Sequence, residues 1–196
     1  MQTNIILAGV GGQGILTIAA VIDQAALQSG LTIRQAEVHG MSQRGGAVQS
    51  HLRIADREIY SDLIAEGTAN LILSVEPLEA LRYLPFLATN GRVVTSTEPF
   101  INMEGYPAME EIMRELYRTN QPILINAPEL ARKAGSPRTS NMIMLGAAAP
   151  FTGIDQEKLE EAIGRLFQAK GEKIVAMNIR AFRKGVELSQ PQATVS

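Results

Sequence analysis

Asn4-Ile5-Ile6-Leu7-Ala8-Gly9-Val10-Gly11-Gly12-Gln13-Gly14-Ile15-Leu16 is the stretch that decides how this chain folds. An apolar run feeds a cluster of glycines and then a segment, Gln13 to Ser29, with Ile15, Leu16, Ile18, Ala19, Ile22, Ala25 and Ala26 at helical spacing. The pattern predicts strand, tight turn, helix. Glycine lets the backbone turn and approach whatever lies above it, while the new helix aims unpaired N–H groups and a positive dipole end in the same direction. Such a turn is suited to an anion.

Working outward, Gly30 stops that helix and a second strand is expected over about 31–38, parallel to the first because a helix connects them. Val48, Ser50, Leu52 and Ile54 alternate with Gln49, His51 and Arg53, a strand with one apolar and one polar face, the latter lining a site or meeting water. A short returning strand is predicted over Glu58–Ser61 after a turn at Asp56 and Arg57. Asn70–Val75 and Arg92–Ser96 read as further strands around a helix at Pro77–Leu87, with Gly91 closing that connection. Pro107–Arg118 reads as a helix and Gln121–Asn126 as the last strand. Four helical patterns then follow at 128–134, 141–148, 155–169 and 172–188, with Asp155 as a cap for the third. The fold class expected is α/β: a Rossmann-like, mostly parallel sheet with helices on both faces and a helical C-terminal third. One domain is expected over 1–188, with 189–196 as a flexible tail.

Composition excludes several functions. The chain has 196 residues, 45% of them hydrophobic, yet no apolar run nears the roughly 20 residues that span a bilayer. Met1 to Ala8 lacks the basic start and cleavage site of a signal peptide, so a cytoplasmic location is expected. Without cysteine there is no thiolate nucleophile and no ordinary iron–sulfur ligand. The net charge of -2, with no basic stripe and no tryptophan, argues against nucleic acid. Two histidines, His39 and His51, with no carboxylate cluster beside them, make no metal site. GxSxG, HExxH and a P-loop lysine are all absent, so the sequence reads as a binding scaffold without catalytic residues of its own.

Two segments carry the candidate site. Gly9, Gly11, Gly12, Gln13 and Gly14 satisfy GxGxxG between strand and helix, and Glu37 stands at the end of the second strand, where a carboxylate would hold a ribose. The alternative is that the glycines allow close helix–strand packing and Glu37 is an ordinary strand end. The second segment, Glu37-Val38-His39-Gly40-Met41-Ser42-Gln43-Arg44-Gly45-Gly46, leaves the same sheet edge. Ser42, Arg44, Gly45 and Gly46 would bring a guanidinium and a nest of N–H groups to an anion, unless Arg44 simply pairs with a carboxylate such as Glu37. His39 has the pKa of an acid–base catalyst, but a hydrogen-bonded structural role is the commoner one. The methionine-rich Asn141–Ala147 suits close packing in the core, or an interface.

Taken together, the glycine run, the Arg44-Gly45-Gly46 segment and Asn141 to Gly146 resemble the gamma-type domain of the 2-oxoacid:ferredoxin oxidoreductases, with His39-Gly40-Met41 and Gln43-Arg44-Gly45-Gly46 similar to the indolepyruvate branch. The resemblance spans Asn4 to Glu187. It implies a non-catalytic small subunit of an enzyme that oxidatively decarboxylates a 2-oxoacid, here an aryl pyruvate, to an acyl-CoA, the isolated chain being inactive. It places thiamine diphosphate, magnesium and 4Fe-4S clusters on a large partner subunit, with ferredoxin taking the electrons. This chain, which lacks cysteine and a Gly-Asp-Gly thiamine signature, would close the partner's site and stabilise assembly, with coenzyme A a candidate for the glycine crevice. Alone, it would be free to pair as a homodimer. The alternatives are an independent NAD-binding protein and a purely structural subunit.

Overall fold

The computed structural model describes residues 1–39, 45–101 and 103–189. The chain opens with β1 (Gln2–Val10), α1 (Ile15–Gln28), β2 (Thr32–His39) and β3 (Ala47–Ala55). It continues through β4 (Ala69–Ser74), α2 (Pro77–Arg82), β5 (Leu87–Ser96), α3 (Met109–Tyr117) and β6 (Ile123–Ile125). The helical remainder is α4 (Ala127–Lys133), α5 (Ser140–Ala148), α6 (Gln156–Phe167) and α7 (Glu172–Ser189).

Among the described residues one sheet has the order β2-β3-β1-β4-β5-β6. β1, β4, β5 and β6 pair in parallel, while β3 lies antiparallel between β1 and β2. β2 therefore runs parallel to β1, as expected, but is not its neighbour. The alternation of β3 does mark two faces, yet the polar one is covered: His51 is buried and accepts a hydrogen bond at Nδ1 from Ile64 N–H (3.1 Å). Arg53 on that face donates to the Ser61 and Leu63 carbonyls. The segment after β3 is thus held by side chains. Glu58–Ser61 is not a strand, because both edges of β3 are already taken, Leu52 pairing with Ile5 on one side and Gln35 on the other.

One face of the sheet carries α1 and the C-terminal helices over Ile5, Leu7, Leu52 and Leu73. α2 and α3 cover the other, over Ile6, Ile72 and Val93. Each side chain falls on the layer its strand parity dictates. Gly30 ends α1 in the left-handed region, and Leu31 N–H reaches the Ala26 carbonyl. Several sequence boundaries shift. Pro77–Leu87 divides into α2 and a 3-10 turn at Leu84–Phe86, and Gly91 lies inside β5, where a Cβ would sit 2.7 Å from the Ala69 carbonyl oxygen at a register shift. Asp155 stands at the N-cap of α6 but makes no side-chain cap bond. Ser189 is the last residue of α7, and the remainder of the expected tail, 190–196, lies outside the described residues.

α5 is buried from Asn141 to Ala148, and it crosses α7 at two glycines. A Cβ on Gly146 would lie 1.9 Å from the Phe182 carbonyl oxygen, and one on Gly185 2.0 Å from that of Ile143. The methionine-rich segment is core, packed inside this chain. No described helix is long and apolar enough to cross a membrane.

Candidate binding crevice

After β1 the chain turns to the first face of the sheet as α1, and after the adjacent parallel strand β4 it turns to the other face as α2. Doubly wound sheets form their crevice at such a switch point, outside the carboxyl ends of the strands. Here the crevice is bounded by the glycine loop and by Val75-Glu76-Pro77, with Val75 N–H bonded to the Ala8 carbonyl.

Within the loop, most of the candidate residues have structural tasks. Gly9 has no room for a side chain, since a Cβ would lie 2.4 Å from Val75 Cγ2. Gln13 turns back so that Oε1 accepts from Val10 N–H (2.8 Å), and its own N–H donates to the Val10 carbonyl. Gly14 is the N-cap of α1 at φ +85°, and a Cβ there would meet Asn141 Nδ2 at 2.6 Å. Asn141, at the start of α5, donates Nδ2–H to the Gly14 carbonyl (3.3 Å) and so ties the two helix starts together. Gly12, at φ +100°, is exposed, and among the described residues nothing lies within 4 Å of where its side chain would begin. Gly12 and the first turn of α1 are therefore the part of the loop open to a ligand.

The second glycine pair comes to the first, as expected, but by direct bonding. Gly11 N–H donates to the Gly46 carbonyl (2.9 Å), and Gly45 N–H to the Gly11 carbonyl (3.5 Å), extending the β1–β3 ladder beyond Val10 and Ala47. Ser42 and Arg44 lie outside the described residues, as does the side chain of His39. Glu37 is exposed on β2, opposite Ser50 of β3, so a whole strand separates it from β1. The ribose-binding carboxylate of a dinucleotide site stands at the end of the strand beside β1. That neighbour is β3 here, and the NAD arrangement is not assembled.

Sequence reasoning passed over Glu76. It is buried at the N-cap of α2, where Oε2 accepts from Glu79 N–H (2.8 Å), while Oε1 accepts from Phe100 N–H (3.2 Å) and from the Tyr106 hydroxyl. Those bonds fasten the segment after β5 to the rim of the crevice. Burial raises the Glu79 carboxyl above its usual range, against the opposing pull of Arg82, and raises the Tyr106 hydroxyl too. A Glu-Pro pair with Glu79 two residues on is a local capping signal. The partners at Phe100 and Tyr106 leave none.

Among the described residues no three His, Cys, Asp or Glu side chains are grouped to hold a metal, and with no cysteine the chain does not fit a cluster. Fold and crevice together define a doubly wound α/β scaffold with braced glycine loops. Residues 4–188 match the family model of the pyruvate ferredoxin/flavodoxin oxidoreductases, and the chain belongs to that family. The indolepyruvate oxidoreductase subunit IorB of Archaeoglobus fulgidus is 41% identical over 197 residues, 94% of each chain. The keto/oxoacid ferredoxin oxidoreductase gamma subunit of Geobacter sulfurreducens shares the fold with a TM-score of 0.70 at 23% identity, over 95% of this chain and 98% of that one. The 2-oxoglutarate:ferredoxin oxidoreductase of Magnetococcus marinus, solved with 2-oxoglutarate, coenzyme A and succinyl-CoA bound, gives 0.76 at 21% identity. There the match takes in 96% of this chain but 31% of that one.

Proposed function

We propose that this chain is the small subunit of a cytoplasmic 2-oxoacid:ferredoxin oxidoreductase acting on indolepyruvate or a related aryl pyruvate. The observation that carries the reading is the end-to-end likeness to an indolepyruvate oxidoreductase subunit at 41% identity, in a chain without cysteine. A large partner subunit would hold thiamine diphosphate, magnesium and the 4Fe-4S clusters, and that bound set supplies the decarboxylation and electron transfer to ferredoxin. This chain's residues orient and enclose. The crevice fits an anionic group in one place: the open backbone at Gly12 and the N-terminal turn of α1, where the phosphates of coenzyme A would meet N–H groups and Arg44. Gly9, Gln13 and Gly14 hold the loop's shape, and Gly11 with Gly45 and Gly46 joins its two halves.

The test is co-expression with the large subunit from the same organism. The complex should reduce ferredoxin with indolepyruvate and coenzyme A, and either chain alone should not. Equal turnover by the large subunit alone would overturn the reading. Arg44→Ala in the complex should weaken coenzyme A at least about tenfold, the scale of a lost charge-assisted bond. Unchanged affinity would leave the second reading, in which the glycine loops only shape a subunit contact. The Gly11–Gly46 bonding supports that second reading, since the two loops brace each other through their own backbone.

A further inference from the structure

Phe100, Ile101 and Met103 stand 41%, 70% and 51% exposed in the segment after β5, at the sheet edge that carries the glycine loop. Apolar side chains turned to water usually lie singly on a surface. These are close together in sequence, and both ends of their segment are fastened. The buried Glu76 carboxylate accepts from Phe100 N–H at one end of the segment and from the Tyr106 hydroxyl at the other. Beside Met103, the α2 residues Leu78, Leu81 and Arg82 form a shallow hollow of about 390 Å³. Across the crevice Leu16 is also exposed, on the first turn of α1. Among the described residues Tyr60 and Leu63 make a second exposed pair, in the segment after β3 and without a hollow beside them, and the others, such as Leu27 and Tyr117, lie on separate elements.

A buried carboxylate that fastens both ends of an apolar segment suits a preorganised contact, because less backbone ordering is left to be met on binding. We infer that Phe100, Ile101 and Met103, with the hollow beside α2, form the surface that docks on the large catalytic subunit, seating the glycine crevice against it. The occupant is a folded protein surface with an apolar recess. Two facts point to that partner: the 41%-identical relative is itself a subunit, and in the Magnetococcus enzyme this fold makes up 31% of a longer chain, joined to further protein. The inference rests on the proposed function and specifies which face it uses.

The experiment measures binding of the full chain to the large subunit from the same organism. Phe100→Ser with Ile101→Ser should weaken binding about 30-fold or more, the loss of a hot-spot pair, while the isolated chain keeps its melting temperature. Leu27→Ser with Tyr117→Ser should bind like the parent. Binding of the first variant within about threefold of the parent, or an equal loss in both variants, would overturn the docking surface while leaving the subunit assignment intact. A parent chain that does not bind the large subunit would overturn both.

Discussion

At Gly14 and Gly12 the same residue type answers two different needs. Both have positive φ, but only Gly14 is also hemmed in, by Asn141. Gly14→Ala should therefore cost about 2–4 kcal/mol by urea unfolding, combining backbone strain with crowding, and Gly12→Ala about 1 kcal/mol. A ligand effect confined to the Gly12 variant would mark it as the open side of the loop. Asp23 on α1 gives a second residue-scale expectation. Its Oδ1 is buried without a partner, and burial lifts the carboxyl to about 6 from an ordinary 3.8. The folded state holds that proton more tightly than the unfolded chain, so stability falls as pH rises from about 4 to 6 and stays lower above. Asp23→Asn should raise the melting temperature at pH 7.5, with the gain vanishing near pH 4. Equal gains at both pH values would show that the carboxylate is not the cause.

Elements divide into those that local pattern announces and those that only the assembled sheet decides. β1, α1 and β4 were legible because apolar period, glycine and proline signals coincide there. Glu58–Ser61 misled because it has a strand's composition, yet whether an edge of β3 is free depends on Gln2–Val10 and Thr32–His39. Glu37 stands at the end of β2 as read, but its separation from β1 has the same cause: no local signal says that β3 slides between β2 and β1. The segment after β3 is fastened instead by His51, whose imidazole burial holds below its ordinary pKa. The neutral ring accepts from Ile64, so this contribution is full above about pH 6.5 and is lost as pH falls below it. The protection of the Ile64 amide should fall on moving from pH 7.5 to 5.5, its exchange slowing by less than the base-catalysed intrinsic rate does, and His51→Ala should remove that difference. At the α5–α7 crossing, Gly146→Ala should cost about 3 kcal/mol or more, because helix backbone and not a flexible side chain blocks the new methyl.

For the whole molecule, the absence of cysteine sets a clear expectation. The purified chain should bring no iron with it and show no 2-oxoacid oxidation, and mixing it with the large subunit should restore turnover without changing iron content per complex. Iron bound by this chain alone would contradict the division of labour. That division was legible from composition and motif together, whereas the face that meets the partner was not. Phe100, Ile101 and Met103 carry no motif, and their significance comes from a carboxylate more than twenty residues earlier in the chain.

The bond between Gly11 and Gly46 has a consequence in time. A recognition loop that belongs to the hydrogen-bonded ladder opens only when the sheet edge opens, so its amide should be among the slowly exchanging ones, unlike a freely moving phosphate loop. The partner would then meet a shape already set, at an encounter rate of about 10⁵–10⁷ M⁻¹s⁻¹ for rigid docking, and differences between related complexes would appear as residence time.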